Sequence, residues 1–288
     1  MHHFYQYIVN IFIRYELTIL NKIFYKILIY LLTEKIILNF NQCKFFAYPD
    51  KKDLSRSMIR NLRISDDEAV NFIISNLKKD NSIFIDIGCN YGAFSIPISK
   101  LKNNLDIFCF DPSRKSLNKL IENIKLNDLR NIMYFELGIG ERTKTVLFND
   151  NLDNYKNSGS YQIDNLKEGY KINVDSIDNL IEKKIIKPKE NIFIKIDIEG
   201  YEFYALNGLT KTIKNYNVMI LFEFSKKILQ NHYNLEEKLL NFLDDNNLRI
   251  YNLKFVEQNV KNLFLEINKL KKEHDVLGNF ILCQTIDK

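Results

Sequence analysis

Two rhythms of apolar and polar positions alternate along this chain. Short, nearly unbroken apolar runs recur at Ile83–Ile87 (with Asp86 as the exception), Ile107–Phe110, Ile132–Glu136, Ile192–Ile198 and Val218–Phe222. Runs of this kind predict strands buried on both faces. Between them the spacing turns helical. Val70, Ile73, Ile74 and Leu77 share one face behind an acidic start at Ser65–Glu68, and Leu117, Leu120, Ile121 and Ile124 share another. Ile177, Leu180 and Ile181 follow a cap at Asp175 or Ser176, and Leu235, Leu239, Phe242 and Leu243 precede Val260, Leu263, Phe264 and Ile267. Strand–helix alternation predicts an α/β fold, a mostly parallel sheet with helices on both faces. The last two strands, Arg249–Leu253 and Asn279–Cys283, fit an added antiparallel edge hairpin. Thr145–Phe148 and Ile172–Val174 flank a polar stretch, 149–170, of a length expected of a lid, a binding insertion or a solvated loop.

The first 40 residues break this pattern. They are apolar almost throughout, with charges only at Arg14, Glu16, Lys22, Lys26, Glu34 and Lys35. The longest uncharged piece, Phe4–Ile13, is far short of the roughly 20 residues that span a bilayer, and no signal-peptide pattern is visible. Two readings stand. One is a pair of helices packed on the domain or on a second copy, as in a homodimer through residues 4–40. The other is an interfacial helix lying on a membrane, with Lys22 and Lys26 at headgroup level. The expected organisation is an apolar helical extension over 1–48, with Phe45–Tyr48 as a short edge strand before the Pro49–Asp50 turn, and an α/β domain over 49–288.

Composition narrows the class. A chain of 288 residues with 46% apolar content suffices for one large domain and an appendage. The 41 basic and 36 acidic residues leave a net charge of +5, and the lysines are scattered, which speaks against a nucleic-acid groove. Cys43, Cys89, Cys109 and Cys283 are far apart in sequence and read as reduced thiols of a cytoplasmic protein, neither a disulfide frame nor metal ligands.

Chemistry concentrates at strand ends. The first apolar strand runs into Gly88-Cys89-Asn90-Tyr91-Gly92, where glycine lets the chain turn sharply before a helix whose first N–H groups suit an anionic group. Asp111, at the end of the second strand and roughly 20 residues on, stands where α/β nucleotide folds place a ribose-binding carboxylate. Lys195 and Asp197 interrupt an apolar strand, share a face by period two, and are continued by Glu199. Charges inside a buried strand are costly unless paired or functional.

These blocks resemble the FkbM family of methyltransferases: Ile85–Gly92, Phe108–Pro112, Ile194–Glu202 and Leu221–Glu223, over roughly residues 65–285. The Lys-x-Asp-x-Glu-Gly-x-Glu block, Lys195–Glu202, is the most diagnostic. The family more often has Glu at the position of Asp111 and Ala at that of Cys89. The resemblance implies a class I, seven-stranded Rossmann-like fold and S-adenosylmethionine as cofactor. It implies O-methylation of a sugar, glycan or small natural product. Gly88 and Gly92 would admit the methionine part, Asn90 its amino-acid end, Asp111 the ribose, Glu136 the neighbourhood of adenine, and Asp86 belongs to the same cofactor set. Asp197 or Glu199 is expected as base, paired to Lys195, because a sugar hydroxyl is a poor nucleophile. A divalent cation such as Mg²⁺ between Asp197 and Glu223, or His232 as base, are alternatives that nothing in the sequence requires. Other readings are a nucleic-acid methyltransferase, a non-catalytic membrane-associated protein that keeps the fold, and a nicotinamide dehydrogenase, which the Gly-x-x-x-Gly spacing disfavours.

Overall fold

A computed structural model describes residues 2–15, 35–40, 42–48, 54–62, 64, 67–77, 81–149, 162–163, 169–231, 233–272 and 275–284. Most of the 149–170 stretch, Lys22, Lys26, the Ser65 helix start and His232 lie outside those residues.

In chain order, helix α1 (His2–Arg14) precedes strands β1 (Ile36–Phe40) and β2 (Cys43–Ala47), then helices α2 (Leu54–Asn61) and α3 (Asp67–Asn76). The α/β part follows as β3 (Ser82–Ile87), α4 (Ser95–Leu101), β4 (Asp106–Asp111), α5 (Arg114–Leu126) and β5 (Ile132–Glu136). Next come β6 (Gly138–Ile139), β7 (Lys144–Asn149), β8 (Gln162–Ile163), β9 (Tyr170–Asp175) and α6 (Ile177–Glu182). The chain continues with β10 (Asn191–Ile196), α7 (Glu202–Asn207), α8 (Thr210–Asn215), β11 (Asn217–Ser225) and α9 (Ile228–Asn231). It closes with α10 (Leu235–Asp245), β12 (Arg249–Asn252), α11 (Val260–Lys269) and β13 (Val276–Cys283).

Seven strands form one sheet in the order β12-β13-β11-β10-β3-β4-β5, parallel except for β13. This is the expected class I arrangement. The last two strands form the expected antiparallel pair at one edge, with β13 against β11 and β12 outermost. Period-two alternation splits each strand between two cores. Phe84, Ile107, Cys109, Phe193 and Leu221 face one side. Ile83, Ile85, Phe108, Ile194, Ile220 and Phe222 face the other, under α6, α7, α10 and α11. A second sheet, β6-β9-β7-β8, was not separated from the first by the sequence pattern. Among the described residues its own core is Val146, Phe148, Ile172 and Val174.

The region 36–47 corrects the expectation of a helical extension. It is an antiparallel hairpin, β1–β2, whose Ile36, Leu38, Phe45 and Ala47 are buried at every second position. Amides of α5 tie it down: the Lys44 N–H donates to Asn127 Oδ1 (2.8 Å) and the Phe46 N–H to Asn123 Oδ1 (2.9 Å). Helix α1 packs on this hairpin in turn. Val9 is buried, Asn10 Nδ2 donates to the Ile37 carbonyl, and the Asn39 N–H donates to Asn10 Oδ1. Among the described residues no helix is long and apolar enough to cross a membrane.

Candidate active site

The parallel strands all end at one edge of the sheet, and their register decides what meets there. Asp111 is paired directly with Glu136. Ile87 pairs with Phe110 and with Ile196, and Ile196 with Phe222. One residue further on, Glu223, Asp197, Gly88, Asp111 and Glu136 therefore stand in a row across five neighbouring strands, about 4.8 Å per step. All lie at the carboxyl ends, where open α/β sheets bind ligands.

The Gly88–Gly92 turn is set by close packing more than by room for a ligand. Gly88 has φ +78°, and a Cβ there would meet the Asp197 carbonyl oxygen at 1.9 Å. Its N–H donates to the Phe110 carbonyl (2.9 Å). Gly92 has φ +91°, and a Cβ would strike Leu120 Cδ1 at 2.6 Å and Ile96 Cγ1 at 2.8 Å. These contacts give both glycines a packing role beside the expected one in cofactor approach: each lets a strand or a helix come close. Gly88→Ala is expected to cost at least about 2 kcal/mol, since left-handed backbone alone costs an alanine about 1–2 kcal/mol and the clash adds to it. Urea unfolding checks this, and a loss under about 0.5 kcal/mol would refute the packing argument.

Asn90, at φ +48°, turns its backbone N–H onto Asp111 Oδ2 (2.9 Å). The Ser113 N–H donates to Asp111 Oδ1 (2.8 Å). Asp111 is 1% exposed. Burial pushes its pKa up to about 7, against the pull of the two backbone N–H groups and Lys195. At the end of the row Glu136 receives both a Nε and a Nη2 bond from Arg114, at 2.9 and 3.1 Å, on the surface.

Lys195 is the hub. Its ammonium is 3% exposed and lies 3.4 Å from Asp86 Oδ1 and 3.3 Å from Asp197 Oδ2. It donates to the Gly88 carbonyl at 2.9 Å and sits 5.2 Å over the Phe94 ring. Burial works against its charge, but Asp197 and Asp86 outweigh burial and hold its pKa above the usual lysine range. Asp86 itself is wholly buried, and its other oxygen accepts from Ser95 Oγ. It therefore reaches a ligand only through Lys195 and the Gly88 turn, which corrects its place in the cofactor-contacting set.

The strand ends at Ile196, so Glu199 does not continue the Lys195–Asp197 face. The chain turns instead, with Glu199 at φ +56° and Gly200 at φ +103°. Glu199 pairs with Lys227 at 3.6 Å, not with Lys195. The turn is clamped from beneath by Glu202, fully buried at the start of α7, which accepts from the Ile198 N–H (3.0 Å) and from the Gly200 N–H (2.9 and 3.0 Å). Burial, then the neighbouring Asp197, raises the Glu199 pKa to about 7. Burial also raises Glu202 to about 7 against its backbone donors. Glu223 is pushed well above the carboxylate range by burial and by Asp197, Glu199 and Glu202. Among the described residues no three Asp, Glu, His or Cys side chains form a group that could hold a metal ion.

The family model for the methyltransferase FkbM domain matches residues 33–250. The chain belongs to the FkbM methyltransferase family. The match begins at the β1–β2 hairpin, consistent with the way α5 holds that hairpin to the FkbM domain. Hexuronic acid methyltransferase AglP of Haloferax volcanii is 23% identical over 163 residues, covering 57% of this chain and 64% of that protein. The 2-O-methyltransferase NoeI of Sinorhizobium fredii is 30% identical over 76 residues, covering 26% of this chain and 30% of that protein. The chain thus spans less than two thirds of either relative. Among solved structures, M. jannaschii TYW2 in complex with AdoMet has a TM-score of 0.42 at 14% identity, covering 86% of this chain and 84% of that one.

Within this FkbM domain the register brings Asp197, Gly88, Asp111 and Glu136 to one edge and leaves Asp86 behind it. Sequence reading gave no role to Glu202, Lys227 or Ser95. Glu202 carries a usable signal, an acid in the first turn of a helix that starts just after a Glu-Gly turn. Ser95 and Lys227 carry none, because their partners lie 9 and 28 positions away in the chain.

Proposed function

We propose that this FkbM domain transfers the methyl group of S-adenosylmethionine to a hydroxyl of a sugar. The observation that carries the reading is the row itself. A buried carboxylate, Asp111, lies beside the glycine turn, and a second carboxylate poised near neutrality, Glu199, lies beyond Asp197 in the turn that follows β10.

The residues fit the cofactor. Asp111 uses one backbone donor per oxygen, which leaves acceptor capacity on both oxygens for a pair of vicinal hydroxyls. Its raised pKa marks a buried carboxylate short of donors, and ribose supplies them. Asp197 in the row, and Glu199 in the turn that follows it, suit the positive charge of a sulfonium. When bound, the cofactor supplies an activated methyl carbon for in-line displacement. The protein's task is to hold an acceptor oxygen about 3 Å from that carbon, exclude water and remove a proton. Glu199 is the base: its pKa near 7 matches general-base work at neutral pH, and Glu202 and Lys227 hold it in place. Asp197 stays tied to Lys195 and positions the turn. The sugar acceptor is supported by the name of one relative, a hexuronic acid methyltransferase, and transfer to oxygen by the name of the other, a 2-O-methyltransferase.

Calorimetry with S-adenosylmethionine tests the cofactor. Wild type is expected to bind, and Asp111→Ala to weaken binding roughly 10- to 100-fold, the worth of hydrogen bonds to a charged group. Absence of binding by a folded wild type would sink the reading. Mass spectrometry of products from monosaccharide and glycan acceptors tests the second half, with a gain of one methyl as the expected result.

A further inference from the structure

An open groove of about 710 Å³ lies away from the row, between α7–α8 and α10. Both α7 and α10 follow strands that end at the carboxyl edge, so each begins near that edge and runs back along the sheet. The groove therefore has a mouth beside the candidate active site, at Tyr204 and Tyr233, and a floor at the far end of α10, at Asn246. Along α10 its lining runs from Lys238 to Asn246, about 12 Å, longer than a single hexose ring.

Three observations indicate what it takes. Tyr233 is 84% exposed, an open aromatic face of the kind that sugar C–H groups stack on. Charge along the walls cancels: Lys214 and Lys238 stand against Glu141 and Asp245, with Asn241 between them, which suits a neutral polyhydroxyl ligand and not a phosphate chain. At the floor Asn246 is 7% exposed. Its Nδ2 donates to the Phe242 carbonyl (2.8 Å), while its buried Oδ1 has no hydrogen-bond partner among the described residues. A buried acceptor without a donor is costly, and a turn of this side chain toward the groove would let a ligand hydroxyl supply one. The mouth is joined to the acid turn through a tilted ring pair, since Tyr201, next to Gly200, lies 5.1 Å from Tyr204 at 34°.

We propose that this groove is a saccharide subsite, which holds the neutral chain attached to the sugar being methylated. The acceptor is then an oligosaccharide end and not a free monosaccharide. The proposal rests on the sugar-methylating reading for the identity of its ligand, but its binding test does not require the cofactor.

The full chain, without cofactor, is titrated with cellotetraose, chitotetraose, maltotetraose and tetragalacturonate and with the matching monosaccharides. At least one neutral tetrasaccharide is expected to bind tenfold or more tightly than its monosaccharide. Tyr233→Ala and Asn241→Ala, both surface changes, are each expected to lower that affinity at least fivefold while melting temperature and S-adenosylmethionine affinity stay unchanged. Equal affinity for monomer and tetramer, preference for tetragalacturonate alone, or a preference that survives both variants overturns the proposal. So does a dimer in sedimentation velocity that Tyr233→Ala dissociates, because the groove would then be a self-interface. Tetrasaccharide binding that persists while S-adenosylmethionine fails to bind would instead overturn the methyl-transfer reading and leave the groove assignment standing.

Discussion

Lys195→Met is expected to lose about 3–5 kcal/mol of folding stability, the usual cost of stripping one partner from a buried ion pair. Methionine fills similar space, so the loss would come from charge and not from a cavity. Without Lys195 the wholly buried Asp86 faces no cation, and one of its oxygens has no hydrogen-bond donor among the described residues. The Gly88 carbonyl also loses its 2.9 Å ammonium donor. Adding Asp86→Asn removes the stranded charge, so the double variant should recover at least half of the loss. Urea unfolding of the two single variants, the double variant and wild type completes the cycle. A single-variant loss under about 1 kcal/mol, or no recovery, would show that the hub is dispensable.

Glu199→Gln should lower turnover roughly 10²- to 10⁴-fold, the range for a general base, with S-adenosylmethionine affinity kept within about threefold. Wild-type turnover should rise with pH through about 7 as Glu199 ionises. Stability should move the other way. Asp111, Glu199 and Glu202 have folded-state pKa values raised to about 7, so between about pH 5 and 7 the folded chain holds protons that the unfolded chain has shed. Unfolding then releases protons, and stability falls as pH rises through that window. Asp175 and Glu122 shift the opposite way. Against the cost of burial, Asn179, Lys183 and Thr143 lower Asp175, and Tyr48 and Lys35 lower Glu122, so their losses come only below the ordinary carboxylate range. Melting temperatures from pH 5 to 8 at fixed ionic strength check the sign. A rise with pH would contradict the raised values, and a flat rate profile across pH 7 would remove Glu199 as base.

The central sheet was legible because strands buried on both faces must be apolar throughout, and Asp86, Lys195 and Asp197 stand out against such runs. Asp111 and Asp197 were legible as well, since the last residue of a parallel strand falls at a predictable edge. The hairpin at 36–47 was not. Its apolar alternation, Ile36, Leu38, Phe40 and then Cys43, Phe45, Ala47, merges in sequence with the apolar stretch before it. The second sheet was hidden because its strands are short and lie on either side of a long polar stretch. The true constraint on Gly88 was hidden for a different reason. The atom that forbids a side chain belongs to Asp197, a contact set by strand register and not by local spacing. Glu202 shows the same limit: an acid near a helix start reads as a dipole partner, while only the fold reveals that it holds the turn carrying Glu199.

The Lys195 hub also orders events during synthesis. The Gly88 carbonyl and its ammonium partner are 107 residues apart in the chain. At typical ribosomal rates of about 5–20 residues per second, roughly 5–20 s separate the emergence of the two. Until β10 arrives, the nascent β3 carries Asp86 with no cation beside it, so the apolar run around it has reason not to close early. The last strand of the sheet to emerge, β13, must then insert between β11 and β12, which leaves β11 with an unpaired edge until β13 has emerged. Completion of the glycine turn thus waits for β10 and protection of that edge waits for β13, and the nascent chain is most exposed to edge-to-edge association between the emergence of β11 and that of β13.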